Sequence, residues 1–404
     1  MNNAHLTVEG IDTMIPTLKT NIDKMDEIDI VLFSHGVFDL NGPRAIFDHK
    51  MPVQTTEEAP CLGNLHQLKC GTLNSSSNNR IESATEVLRD LSLILPGIEK
   101  SMILVDCSTR SQGRNLQELH KVATTVASDK IQTTYVTSIS DPGYRDEIIF
   151  GIEIEDDFGS HRAFPAACVV DRYDCAEFDA CKFQNTFNIP IFLDVQAFGS
   201  FSNVLEELPK YANQQKVCVF NFVLSNENSA NVLQIIHETN AHICINSLGR
   251  GSVYSPLKGP MPFNDEQIVD FLFGLSENVL KTRVMLSVNI SAKIMTRGCG
   301  GPGYAHMIES VIPRLFERCQ EDHMLPVKEL ISKTALSFLS WFVPPKGKEI
   351  EMDHLNCHVC HKQFPAASED RYEKFGFIYC SSACLLIHKR RGFEKNAHRK
   401  VDLI

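Results

Sequence analysis

No stretch of the 404-residue chain approaches the roughly 18 consecutive apolar residues that a membrane-spanning helix needs, so no such helix is expected. Positive charge is in deficit. With 39 Lys and Arg against 50 Asp and Glu, the formal net charge is −11, and the body as a whole is not expected to attract nucleic acid or an anionic membrane. Any contact with a polyanion has to be local. The opening residues Met1 to Gly10 lack the basic and apolar regions of a secretory signal and the Arg-rich composition of a transit peptide. The 14 cysteines are therefore expected as thiols and metal ligands in a reducing compartment, in cytoplasm and/or nucleus, rather than as a disulfide framework. No Gly-x-Gly-x-x-Gly turn follows the first candidate strand, which disfavours a doubly wound nucleotide-binding sheet.

What is present is an alternation of short β-branched runs with longer stretches of helical spacing, the pattern of repeated βα units. Eight candidate strands follow: Ile30–Phe33, Met102–Asp106, Thr134–Ser138, a fourth in either Gly151–Glu155 or Cys168–Asp171, Pro190–Asp194, Val217–Asn221, His242–Asn246 and Arg283–Asn289. Helical spacing falls at Ile81–Leu95, Leu116–Ser128, Phe201–Ala212, Asn231–Thr239 and Asp265–Leu280. Eight units of this kind predict an α/β fold, a (β/α)8 TIM barrel, with functional side chains where strands end. Asp106, Asp194, Asn221, Asn246 and Asn289 occupy such ends. Asn74–Asn79 reads as a polar surface insertion, and Asp156–Ala167 as a second. The Pro, Gly and Lys residues of Val343–Lys348 read as a linker. The expected organisation is an N-terminal segment 1–24, the barrel 25–342, a linker 343–352, a zinc finger 353–393 and a basic tail 394–404.

Cys357-His-Val-Cys360 and Cys380-Ser-Ser-Ala-Cys384 are separated by 19 residues. Two such thiolate pairs offer the tetrahedral soft ligands zinc favours, and a segment this small needs a staple to fold. His358, His361 and His388 are alternative donors. With Phe375–Cys384 leading into a helix at Leu385–Arg391, the segment resembles the MYM/TRASH/YHS group of small zinc fingers. The resemblance implies one structural zinc on Cys357, Cys360, Cys380 and Cys384, and a protein partner more than catalysis. Lys389, Arg390, Arg391, Lys395, Arg399 and Lys400 surround Glu394 and form a possible nucleic-acid contact.

Arg283–Lys293, Gly300-Gly-Pro-Gly-Tyr304 and Val311-Ile-Pro313, with Ile103–Leu119, are similar to the phosphotriesterase-related branch of the amidohydrolase superfamily. That likeness implies a metal pair held by a His-x-His on strand 1, a carboxylated Lys or a Glu on strand 4, His on strands 5 and 6, and Asp on strand 8. Such metals generate a hydroxide nucleophile. At the corresponding positions this chain has His35 but Val37, then Asp194, Asn221, and Val288 with Asn289. Glu153 is the strand-4 candidate. Amides bind transition metals weakly and are not general bases, so the binuclear site is expected to be absent and the barrel to serve as a binding or scaffold module. The alternative is a hydrolase of esters, amides or lactones on a mononuclear site of His35, Glu153 and Asp194. Cys107 with His35 as base is a further nucleophile candidate. Gly298–Gly303 is a candidate anion cradle, although the resemblance implies a tight packing loop, and Arg250 and Arg297 are candidate anion contacts at the barrel mouth.

Overall fold

The computed structural model describes residues 15–18, 27–36, 38–39, 54–69, 72–125, 130–141, 143–156, 159–171, 179–250, 261–318, 326–341, 354–360, 363–365, 372–374 and 377–390. The chain divides into two units, Met1–Val343 and Pro344–Ile404. The expected linker, basic tail, Val37 and His361 lie outside the described residues.

Eight strands of the first unit form one sheet in chain order: β1 Ile28–Ser34, β2 Ser101–Asp106, β3 Ile131–Ser138, β4 Ala167–Val170, β5 Ile191–Asp194, β6 Val217–Phe220, β7 His242–Ile245 and β8 Val284–Leu286. Every neighbouring pair is parallel. Helices include α1 Ala84–Leu91, α2 Leu116–Thr124, α3 Tyr144–Phe150, α4 Asp179–Phe187, α5 Val195–Phe198, α6 Phe201–Glu207, α7 Ser229–Glu238, α8 Asp265–Phe273, α9 Glu277–Arg283, α10 Ile312–Arg318 and α11 Thr334–Leu339. The Asp265–Leu280 pattern is thus two helices, the second opening after Ser276.

Between the two candidates for strand four, the sheet takes Ala167–Val170. Ile152–Asp156 instead pairs antiparallel with Gly159–Ala163 as a separate hairpin. Glu153 is exposed on that hairpin and is not on a barrel strand. The Asn74–Asn79 tract is also corrected: it packs. Ser75, Asn78 and Asn79 are buried, and Asn78 accepts from the Lys293 and Ile294 amides through its backbone and side-chain oxygens. A side-chain amide here does what a strand neighbour would do. Nor is the N-terminal segment separate throughout, since Ile15 joins the barrel core and the Leu18 amide donates to the Thr133 carbonyl.

Alternate residues of the strands fill the interior: Val31 and Phe33, Ile103 and Val105, Ala167 and Val169, Phe192, Cys218 and Phe220, Cys244, Met285. Phe192 stands 4.8 Å from Phe220 and 5.6 Å from Phe33, ring centre to ring centre, and Phe338 of α11 closes on it at 5.2 Å. This is a packed core, not a pore. Cys218 and Cys244 act in it as small apolar residues.

β1 and β8 stand at the two ends of the sheet order. Hydroxyls join them: Ser287 Oγ accepts from the Phe33 amide at 2.7 Å and lies 3.2 Å from the Phe33 carbonyl, and Ser34 Oγ accepts from the Ile290 amide at 2.7 Å. All of these groups are buried. Ser287→Ala is expected to lower barrel stability by about 1–3 kcal/mol, the cost of an unmet buried amide. Denaturant unfolding followed by fluorescence of Trp341, fully buried in the barrel and the chain's single tryptophan, measures this without signal from the second unit.

Candidate functional site

The mouth of the barrel is built where the strands end. After β1, His35 is buried, with Nδ1 3.0 Å from Ser108 Oγ. Its backbone carbonyl accepts from the Tyr304 hydroxyl at 2.7 Å. At the end of β2, Asp106 Oδ1 accepts from the Gly36 and Ser108 amides at 3.0 and 2.9 Å, which ties the first two strand-end loops together. Burial, reinforced by the Arg250 guanidinium, brings His35 down to about 4, and burial pushes Asp106 up to about 6.

Cys107, the candidate nucleophile, is buried at the end of β2. Its thiol lies 3.6 Å from the Val105 carbonyl, and burial raises its pKa well above the ordinary range, so the thiol stays protonated. Ser108 is the neighbour that reaches the imidazole.

Asp194 and Asn221 join the ends of two neighbouring strands. Asn221 Nδ2 donates to both carboxylate oxygens of Asp194 at 3.0 Å. Asp194 Oδ1 also accepts from the Gln196 and Ala197 amides, capping α5. Asn221 adopts φ +58°, a left-handed conformation that asparagine tolerates better than most residues. Burial raises Asp194 to about 6, and nearby Asp171 adds to the rise. Asp171, just past β4, accepts a hydrogen bond from Ser140. It is the carboxylate at the strand-4 end that the sequence reading assigned to Glu153. The signal was there, because Cys168–Asp171 was the competing strand.

After β8, Val288 bridges to Ser247. Asn289 is buried and its Oδ1 has no hydrogen-bond partner. Among the described residues, no group of three or more His, Cys, Asp or Glu side chains in the barrel converges as metal ligands do.

The Gly298–Gly303 loop does hold an anion, but the anion is a side chain. Asp90 of α1 accepts from the Arg297 and Tyr304 amides at 2.7 and 2.8 Å. Gly303 has φ +68°, and a Cβ there would stand 2.8 Å from Asp90 Oδ2, so only glycine fits. Arg297 lies away from the mouth. It pairs with Glu309 and lines a surface cleft of about 440 Å³ with Glu86, Arg89 and Lys293.

The second unit consists of β9 His354–Asn356 paired with β10 Gln363–Pro365, β11 Tyr372–Lys374 paired with β12 Phe377–Tyr379, and helix α12 Ser382–Arg390. Its four predicted cysteines converge, with ligand atoms all within 4.8 Å of one another. Cys360 and Cys380 sulfurs are 3.4 Å apart, and Cys380 and Cys384 sulfurs 3.8 Å. Four clustered sulfurs cannot all ionise without a cation. Burial opposes ionisation of Cys357, yet the amides of Cys360, Cys380 and Val359 bring it down to about 6, whereas hydrogen bonding to Cys360 pushes Cys380 up to about 12. These residues suit zinc. His388 is not needed as a donor, since its Nδ1 is 2.8 Å from the Tyr379 hydroxyl, and its ring packs against His358 and Phe377.

Residues 212–330 match the family model described as "Phosphotriesterase family", and residues 352–396 that described as "Vms1-associating treble clef domain". No curated protein matches the chain. Among solved structures, a resiniferatoxin-binding protein from Rhodobacter sphaeroides is similar at TM-score 0.63 and 16% identity, covering 81% of this chain and 94% of its own. An amidohydrolase from Mycoplasma synoviae is similar at TM-score 0.57 and 12% identity, covering 95% and 99%. The phosphotriesterase homology protein from Escherichia coli, complexed with phosphate in its active site, is similar at TM-score 0.53 and 16% identity, covering 78% and 99%.

The two buried groups of the mouth titrate in opposite senses. His35, lowered to about 4 from an ordinary 6.5, gives stability that is present above pH 6.5 and lost as pH falls toward 4. Asp194, raised to about 6 from 3.8, gives stability that is present below 3.8 and lost as pH rises through 6. His35→Gln is therefore expected to remove up to about 3 kcal/mol of acid-side destabilisation. Asp194→Asn should flatten part of the loss on the other side, where Asp106 also titrates. Trp341-monitored stability between pH 4 and 8 tests both signs. In outline the chain is an eight-stranded parallel barrel, similar in fold to phosphotriesterase-like structures and matching that family's model over residues 212–330, followed by a unit that matches a treble-clef model and brings four cysteines together.

Proposed function

We propose that the barrel is a binding module that has given up metal hydrolysis, and that the treble clef is its contact with a protein partner. The observation that carries this reading is the Asp194–Asn221 pair. The positions where the resemblance implies two metal-binding histidines hold an acid and an amide whose polar atoms satisfy each other and cap α5. A metal arriving there would have to break those bonds and take an amide as ligand. Val288 and Asn289 leave no carboxylate at the end of β8 to handle a proton. The residues of the mouth do not fit a metal pair, and no catalytic step is derived through one.

In the second unit, Cys357, Cys360, Cys380 and Cys384 would hold zinc, which would supply the cross-link that a core of so few buried residues lacks. The description of the matched domain as Vms1-associating, together with exposed Leu386 and Ile387 on α12, supports a protein partner for this unit.

Elemental analysis of the full chain tests the reading. One zinc per chain is expected, lost in the Cys380→Ser, Cys384→Ser double variant while the Trp341 unfolding transition stays in place. Phosphotriester, ester and lactone turnover by the zinc-loaded chain should not exceed buffer. A metal that persists in the double variant and disappears in His35→Ala or Asp194→Ala would overturn the proposal and favour a mononuclear hydrolase.

A further inference from the structure

We propose that the barrel mouth binds a small organic anion, a carboxylate or a phosphate monoester, on the guanidinium of Arg250. This deepens the reading of the mouth as a binding site and rests on it.

Arg250 follows β7. Its Nη2 is 3.4 Å from Ser291 Oγ, a long contact, and its Nε is buried with no hydrogen-bond partner. Among the described residues no carboxylate lies within ion-pair distance. Other inward-lying arginines are treated differently. Arg114 is forked onto Glu147 and stacked on Tyr135, and Arg283 donates to the carbonyls of Ile235, Ile236 and Ala241. A guanidinium removed from water with one long hydroxyl contact and no carboxylate among the described residues is costly, and burial depresses the basicity of Arg250. An anion accepting two of its N–H groups would offset that cost.

The surroundings place this cation on the mouth. Its contacts run to Ser291 beyond β8 and, through its field, to His35 beyond β1, so it lies over the arc formed by β7, β8 and β1. On that arc Asn289 also presents a buried oxygen without a donor. A ligand carrying a hydroxyl beside its anionic group would meet both needs. The carboxylates of the mouth lie at the ends of β2, β4 and β5; Asp106 Oδ1 and both oxygens of Asp194 are turned to amide donors, while Asp106 Oδ2 is buried without a partner.

The backbone immediately before Arg250 is constrained. Gly249 has φ +78°, and a Cβ there would stand 2.8 Å from Pro302. Its amide donates to Asp265 Oδ1 at 2.8 Å, while Asp265 Oδ2 lies 2.6 Å from His306 Nε2. The backbone leading to this cation, which pairs with no carboxylate among the described residues, is thus constrained, as preorganised recognition requires.

The test uses the full zinc-loaded chain, with sodium phosphate and sodium acetate as probes at constant ionic strength, read by calorimetry and by the Trp341 thermal midpoint. Saturable binding that raises the midpoint is expected, with a shift of the His35 imidazole resonance. Arg250→Gln should weaken binding at least about tenfold, the loss of one charge-assisted contact. Arg297→Gln should leave it unchanged, and Arg250→Met should raise the midpoint without anion. Arg250→Lys, which keeps charge but not the fork, should be intermediate and serves if the larger changes do not fold. Tighter phosphate than acetate identifies a phosphate monoester, and the reverse a carboxylate. No saturable binding of either anion, binding undiminished in Arg250→Gln, or binding that leaves His35 unmoved overturns the inference. Those results leave the binding-module reading standing, whereas a barrel metal would sink that reading by itself.

Discussion

An eight-stranded parallel sheet becomes a barrel only if its last strand satisfies its first, and here that closure runs through hydroxyls. Ser287 takes the place of a ladder partner for Phe33, and Ser34 does the same for Ile290. The seam is where the chain has least regular pairing, and it is also where His35 and Asn289 emerge. Their position depends on two small side chains that reach the opposite backbone without adding bulk. Larger residues at these positions would have to displace backbone, because interior packing is already complete around Phe33, Phe192 and Phe220.

The mouth above this core follows from one electrostatic requirement: buried charge must be met locally. Where metal ligands are expected from the family likeness, the chain has substituted groups that satisfy one another. Asp194 is neutralised by hydrogen bonds from Asn221 and the start of α5, Asp106 by two amides, and Asp90 by the loop before the last βα segment. Arg250 is less fully met, as are the buried oxygens of Asn289 and Asp106 Oδ2, and groups of this kind are where a ligand supplied from outside would bind.

Much of the architecture was legible because burial on both faces of a parallel strand produces a continuous apolar run. The same principle explains the one ambiguity. Ile152-Glu-Ile-Glu155 alternates, as a half-exposed antiparallel hairpin does, whereas Ala167-Cys-Val-Val170 does not alternate and is buried throughout. β-propensity alone could not separate them; periodicity could. The polar strand ends were visible as positions, but the bond between Asp194 and Asn221 joins residues on neighbouring strands and has no local signature. Asn78 and Asn79 misled for a related reason: a polar tract reads as solvent-facing unless its amides are known to bond a distant loop. The cysteines show both sides. Those at ligand spacing were readable as a zinc site, while Cys218 and Cys244 have no spacing and turned out to be core.

The two units solve the problem of stability by different means. The barrel is large enough to bury a core of its own, so its mouth can change chemistry without loss of fold. Among the described residues of the treble clef the buried side chains are Cys357, Tyr379, Cys384 and His388, three of the four at or beside the cysteine cluster, where ligand bonds would add order. On the proposed reading, a change of metal availability would act on the second unit and leave the first intact. If the treble clef carries the partner contact and the barrel mouth takes an anion on Arg250, association would be sensitive to zinc while anion binding would not, and the chain would hold its small molecule in either state.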